Sequence, residues 1–283
     1  MENTKQYPFD LLNIKPKEAF KVFYRSMVIE NVQNPDFIIN ATKGVIKAYA
    51  ENDLKISENV PLYSLYKRWY NSLKSSTPAY EVYDSPLYLA EAFACWSIYA
   101  RKYLLQINKE KSLSPTGVVK DLGQVKSVVD LGCGIGFSTA ALTQLFPNAQ
   151  VVGTNVPDSD QTRIAKRIAD PYKTGENRFE MVASPNQINK PVDLVFASEY
   201  FEHFETPIQH LFEVLQELDP CNLLIANTFT SPSIGHFDIY KHEAVEYSGI
   251  QISRLFNKAL KEKGYENIKT TLWNNRPTYW KKS

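Results

Sequence analysis

One stretch constrains the fold more than any other. In Val128-Val129-Asp130-Leu131-Gly132-Cys133-Gly134-Ile135-Gly136-Phe137-Ser138-Thr139, a short apolar run ends in an acid, crosses three alternating glycines and enters a helical pattern. Glycine is needed where the main chain turns sharply or where a ligand lies against the backbone. The spacing is not that of a dinucleotide loop, because the third glycine comes two residues after the second, and no phosphate-loop Lys-Ser/Thr follows. The surrounding pattern alternates. Strands are predicted at 125–130, 150–154, 179–182, 193–198 and 222–227, with helices at 137–146, 160–169, 207–218 and 252–263 and an aromatic, β-rich end at 265–280. Such alternation implies a parallel sheet with helices on both faces.

The first part of the chain has a different period. Phe20, Phe23, Tyr24, Met27 and Val28 form a helical stripe. Asn34-Pro35 reads as an N-cap with proline in the first turn, leading into Ile38, Ala41, Val45 and Tyr49. Pro61 opens a third helix. A fourth, from Leu87 to about Ile107, is apolar nearly all round and should be the buried centre of this unit. Eleven of the 17 tyrosines fall in residues 1–120, where helix packing with hydroxyls at the rim explains them better than base stacking. A polar linker is expected at 108–123. This gives a helical substrate or lid region at 1–115 and an α/β domain at 120–283.

The composition, 43% hydrophobic and 22% charged, excludes a disordered or fibrous chain. No apolar run is long enough to span a membrane, and the first residues lack a signal-peptide layout. Cys95, Cys133 and Cys221 offer neither a disulfide framework nor zinc spacing, so a cytoplasmic location is expected. Net charge is +4 over 1–120, −7 over 121–235 and +4 over 236–283. Basic flanks around an acidic centre are compatible with an anionic substrate, and equally with lysines on solvated helices.

The glycine string resembles motif I of the class I S-adenosylmethionine-dependent methyltransferases. The resemblance implies a doubly wound, mostly parallel seven-stranded sheet with an antiparallel last strand, here carrying an N-terminal helical extension. It also implies S-adenosylmethionine bound by Asp130, Gly132, Cys133, Gly134, Gly136 and Ser198. Two positions depart from the family pattern. The second strand ends in Asn155 where a ribose-binding carboxylate is usual, with Asp158 as a fallback. Ala183-Ser184-Pro185-Asn186 lacks the acid expected near adenine, leaving Ser184 or Asn186 for that contact.

After the fourth strand, Glu199, Glu202 and His203 stand at i, i+3 and i+4, which puts them on one face of a helical turn. His236 follows the neighbouring strand. The set resembles the metal site of the 2′-O-methyltransferases of small-RNA 3′ ends, and the Glu-x-x-Glu-His segment of ubiquinone-pathway O-methyltransferases. That resemblance implies a divalent ion (Mn, Fe, Co, Zn or Mg) that lowers the pKa of an acceptor hydroxyl. A metal-free substrate role, with His236 as general base, and a purely structural role stay open. His210 is expected to be exposed and His242 to lie in a polar loop. Arg276, in the aromatic tail, either meets an anionic group or helps close the sheet.

The expected activity is methyl transfer to a hydroxyl or amine of a small acceptor, anionic or sugar-bearing, roofed by the N-terminal helices and segment 230–250. A ribose 2′-O methyltransferase acting on nucleic acid is the alternative, since neither an Asn/Asp-Pro-Pro-Tyr/Phe segment nor a cytosine-C5 Pro-Cys nucleophile is in place. A non-catalytic cofactor-binding module is the third reading.

Overall fold

A computed structural model describes residues 10–50, 61–75, 77–113, 122–172, 188, 191–269 and 276–283. Five strands run parallel and one antiparallel in the central sheet: β1 (Ser127–Leu131), β2 (Gln150–Gly153), β3 (Leu194–Ser198), β4 (Asn222–Ala226), β7 (Tyr265–Ile268) and β8 (Thr278–Lys282). Their order is β2-β1-β3-β4-β8-β7, with β8 antiparallel to both neighbours. Val129 sits between Val152 and Val195 in register, so β1 is the middle of the parallel part. The expected strand at 179–182 lies outside the described residues, and the sheet is six-stranded among those described. Residues Val128–Leu131 of β1 and all of β4 are buried without alternation, as in a parallel sheet covered on both faces.

The flanking helices are α6 (Phe137–Leu145), α7 (Asp160–Ala169), α8 (Pro207–Leu218) and α9 (Gly249–Glu262). Helix α7 starts at Ser159, whose hydroxyl accepts the Thr162 N–H, and α9 starts at a Ser248–Gln251 capping box. Between β4 and α9, β5 (Ile239–His242) and β6 (Val245–Ser248) form a separate antiparallel hairpin. The sequence reading missed this hairpin and put His242 in a loop. Its turn residues Glu243 and Ala244 both have positive φ, and neither is a residue that signals such a turn.

The N-terminal helices are α1 (Pro16–Ile29), α2 (Pro35–Ala50) and α3 (Tyr63–Lys74), followed by α4 (Tyr88–Cys95) and α5 (Arg101–Leu113). Helices α4 and α5 are joined without a break by a π-helical turn at Trp96–Ala100, so the expected single helix carries one extra residue per turn at its middle. Its apolar girth is explained by burial: Leu89, Ala90, Phe93, Ala94 and Leu104 are all at most 1% exposed. Trp96 stacks on Phe137 at the start of α6, with ring centroids 4.2 Å apart. This contact seats the roof on the helix that leaves the glycine loop. The division at 115–120 falls on undescribed residues, yet the α1–α5 unit shares its core with the sheet domain.

Candidate active site

A cleft of about 830 Å³ opens over the C-terminal ends of the parallel strands, between the glycine loop below and α4 with its π turn above. This is the edge where doubly wound sheets bind ligands, and the volume lies in the usual range for small-molecule sites. Asp130, Gly132, Cys133, Gly134, Asn155, Ser198, Glu199, His203 and His236 all line it. Gly136 and Glu202 do not line it, and Ser184 and Asn186 lie outside the described residues.

The loop is built by backbone bonds to the end of β2. Gly132 N–H donates to Thr154 Oγ1 at 3.0 Å, and Cys133 N–H to the Thr154 carbonyl at 2.9 Å. Asp130 is buried, and its Oδ2 accepts from Ser138 Oγ (2.7 Å) and Thr139 Oγ1 (2.6 Å) on α6. Burial lifts the Asp130 carboxyl to about 6, against the pull of those two hydroxyls. Gly134 has φ +54°, and a Cβ there would meet only the Ala92 methyl, at 3.8 Å. Its backbone therefore faces open cleft. Gly136 is different: a Cβ would lie 2.6 Å from the Ala165 carbonyl oxygen. The third glycine serves the close approach of α6 to α7, and the sequence reading erred in giving it to the cofactor.

Asn155 is tied to the loop as well. Its Nδ2 donates to the Gly134 carbonyl at 2.5 Å, and its Oδ1 accepts the Val156 N–H at 2.9 Å. Asp158 is exposed and away from the cleft lining, so the carboxylate fallback is not positioned.

The Glu-Glu-His group does not assemble as the spacing predicts. Glu199 adopts φ +51°, and only Phe201–His203 make a 3₁₀ turn, so the i, i+3, i+4 geometry of an α-helix is lost. Glu202 turns inward, is 0% exposed, and its Oε1 accepts the Thr228 N–H at 2.6 Å. Burial and the Glu199 charge hold its carboxyl well above the ordinary range. Among the described residues, no group of three or more His, Cys, Asp and Glu side chains is placed to hold a metal ion. The expected four-residue metal centre is therefore not assembled among the described residues.

The two histidines do meet, edge to face, with ring centroids 4.8 Å apart, but they differ in what they can do. His203 Nδ1 pairs with Tyr83 Oη at 2.9 Å, the proton lying on one atom or the other according to the tautomer, and burial holds its pKa well below the ordinary value. His236 Nδ1 lies 2.8 Å from the Ser231 carbonyl, so Nδ1 carries the proton and Nε2 keeps its lone pair. Burial lowers the His236 pKa to about 4, which keeps the ring neutral.

Sequence reasoning missed the N-terminal contributors. Trp69 Nε1 donates to the His236 carbonyl at 2.7 Å. Gly235, φ +87°, lies so close to Tyr83 that a Cβ would fall 2.0 Å from its hydroxyl. Glu91, 2% exposed, lines the cleft from α4. The available signal was a lone acid inside an apolar helix. His210, expected to be exposed, is half-buried and stacks on Phe204 at 3.7 Å while pairing with Tyr200 Oη at 2.8 Å. Arg276 Nη1 donates to Thr228 Oγ1 at 3.1 Å, and Tyr279 and Trp280 are buried in β8, so the described part of the aromatic tail closes the sheet.

Residues 129–221 match the family model described as "Methyltransferase domain". The match spans about a third of the chain and runs from β1 to the start of β4, the part of the sheet that carries the glycine loop. Its curated relative, a trans-aconitate 2-methyltransferase from Azoarcus sp. (strain BH72), is 32% identical over 103 residues; these make up 36% of this chain and 39% of the relative. The methyltransferase fold also appears in the structure of an O-methyltransferase family protein from Burkholderia thailandensis, with a TM-score of 0.51 and 12% identity, covering 78% of this chain and 69% of that one. A candidate O-methyltransferase from Nostoc punctiforme PCC 73102 gives a TM-score of 0.50 at 14% identity, covering 76% and 68%. Among the described residues, no helix is long and apolar enough to cross a membrane.

Proposed function

We propose that this chain transfers a methyl group from S-adenosylmethionine to a hydroxyl or amine of a small acceptor, with His236 as general base. The carrying observation is the Ser231 carbonyl on His236 Nδ1, which fixes the tautomer and leaves Nε2 as the proton acceptor. The cradle fits the cofactor: Gly134 presents bare backbone to the cleft, and Asn155 closes the end of β2. When bound, S-adenosylmethionine supplies an electrophilic methyl on a sulfonium. The Gly132–Gly134 backbone and Asn155 hold and orient it. As the acceptor heteroatom took the methyl carbon and the carbon–sulfur bond broke to leave a neutral thioether, His236 Nε2 would take the proton that the heteroatom gives up. Tyr83 and Trp69 keep the two histidines in place, and the α4 roof excludes water.

No step is routed through a metal, because the donor set does not converge. Nucleic acid is a poorer fit than a small molecule: the cleft lining includes Glu81, Asp84, Glu91, Asp130, Glu199, Glu213 and Glu217 and, among the described residues, neither Lys nor Arg. Such a lining repels phosphates.

The test is calorimetry of the full chain with S-adenosylmethionine, then transfer of labelled methyl to small phenols and amines. Binding and transfer that both vanish in Gly134→Val, with an intact fold, support the reading. Transfer at full rate in His236→Ala would remove the base.

A further inference from the structure

The roof carries a carboxylate that the reaction above does not use. Glu91 sits on α4, 2% exposed, and lines the cleft. Its partners among the described residues fall on one oxygen. Tyr49 Oη donates to Oε1 at 2.5 Å, Ser233 Oγ at 3.1 Å and Cys95 Sγ at 3.7 Å. The other oxygen, Oε2, is buried with no hydrogen-bond partner among the described residues. A buried carboxylate oxygen left unpaired is costly, and native sites keep such a group where something completes it.

The surroundings say what that is. Seven carboxylates line the cleft, with no Lys or Arg among the described residues. Arg276, whose charge acts on Glu199, is bonded to Thr228 and is not in the lining. Tyr49, Tyr88, Trp96 and Tyr99 complete the wall beside Glu91. Unpaired carboxylate oxygen flanked by aromatic faces is the environment that receives a cation. Ser233 and His236 share one loop, so the Glu91 contact and the base are three residues apart in the chain. Burial also lifts the Glu91 carboxyl, a tendency that a bound cation reverses.

We propose that Glu91 recognises the acceptor, its free Oε2 receiving a protonated nitrogen of a small amino compound whose second heteroatom is methylated at His236. This rests on the methyltransferase reading and narrows its acceptor class from a general hydroxyl or amine to a cationic one. It departs from the anionic acceptor that the charge pattern suggested. It also departs from an acceptor of the kind named for the Azoarcus relative, since a carboxylate-bearing molecule would meet like charges throughout this cleft.

The test uses the full chain loaded with S-adenosylhomocysteine and three matched probes: tyramine, its neutral counterpart tyrosol, and 3-(4-hydroxyphenyl)propanoate. Wild-type protein should bind tyramine at least tenfold more tightly than tyrosol, and the propanoate more weakly than either. Glu91→Gln should erase the gap between tyramine and tyrosol while changing S-adenosylmethionine and S-adenosylhomocysteine affinities less than twofold. Equal or tighter binding of the propanoate overturns the proposal, as does an unchanged gap in Glu91→Gln or no binding of any probe. If Glu91→Gln weakens S-adenosylmethionine tenfold but not S-adenosylhomocysteine, Glu91 serves the cofactor's sulfonium and the proposal falls. The wild-type comparison stands even where the variant does not fold. Failure of the underlying reading shows separately, as wild-type protein that does not bind S-adenosylhomocysteine.

Discussion

Trp69 and His236 are 167 residues apart in sequence, and the indole N–H of one donates to the main-chain carbonyl of the other at 2.7 Å in a buried setting. Helix α3 therefore positions the His236 loop of a domain it precedes. Trp69→Phe keeps the ring packing on Phe237, whose centroid is 5.4 Å away, and deletes only the bond. We expect a stability loss of about 1 kcal/mol, a fall in kcat and an unchanged cofactor Kd. A chemical melt and steady-state kinetics check this. His236→Ala should lower kcat by about 10²–10⁴-fold, the usual range for a lost general base.

The pH behaviour follows from the buried histidine. His236 titrates at about 4 in the folded chain and near 6.5 unfolded. Between those values the unfolded state binds more protons, so this part of the stability is full above about 6.5 and is lost as pH falls towards 4. Asp130, raised to about 6, contributes the opposite way, losing stability as pH rises from about 4 through 6. The histidine part is isolated by His236→Gln: the stability advantage of wild type over the variant should shrink steadily from pH 6.5 to 4. The acid limb of the rate profile should likewise lie near 4, well below the value for a free imidazole.

Two glycines of one loop should fail in different ways. Gly136→Ala drives a methyl into the Ala165 backbone at a positive φ and should lower stability by roughly 1–3 kcal/mol or more. Gly134→Val should retain more of the fold and lose cofactor affinity, because the space it fills is cleft. Thermal melts paired with calorimetry separate the two.

Chelation is expected to leave turnover intact, because one Glu202 oxygen accepts the Thr228 N–H, His203 Nδ1 pairs with Tyr83, and no group of three or more ligating side chains converges among the described residues. Turnover after dialysis against excess chelator measures this; a loss restored by one divalent ion would contradict the side-chain geometry described above.

The parallel sheet was legible because β-branched runs and helical stripes alternate in the sequence, and the cofactor loop because glycine at short spacing has few other uses. Glu199 and Glu202 were misread because spacing was converted to geometry through an α-helix, whereas Glu199 takes a left-handed conformation that residue type does not announce. Gly136 was misplaced because a glycine needed for helix contact looks the same in sequence as one needed for a ligand. Trp69 and Tyr83 were invisible for another reason, and the lone acid Glu91 gave no hint of its partner: each acts across more than 100 residues on a segment that no local pattern links to it.

The hydrogen bonds from Trp69 and Tyr83 also mean that the helical unit cannot be judged by its core alone: a substitution that loosens α3 or the segment after it should reach His236 and His203 without touching either residue.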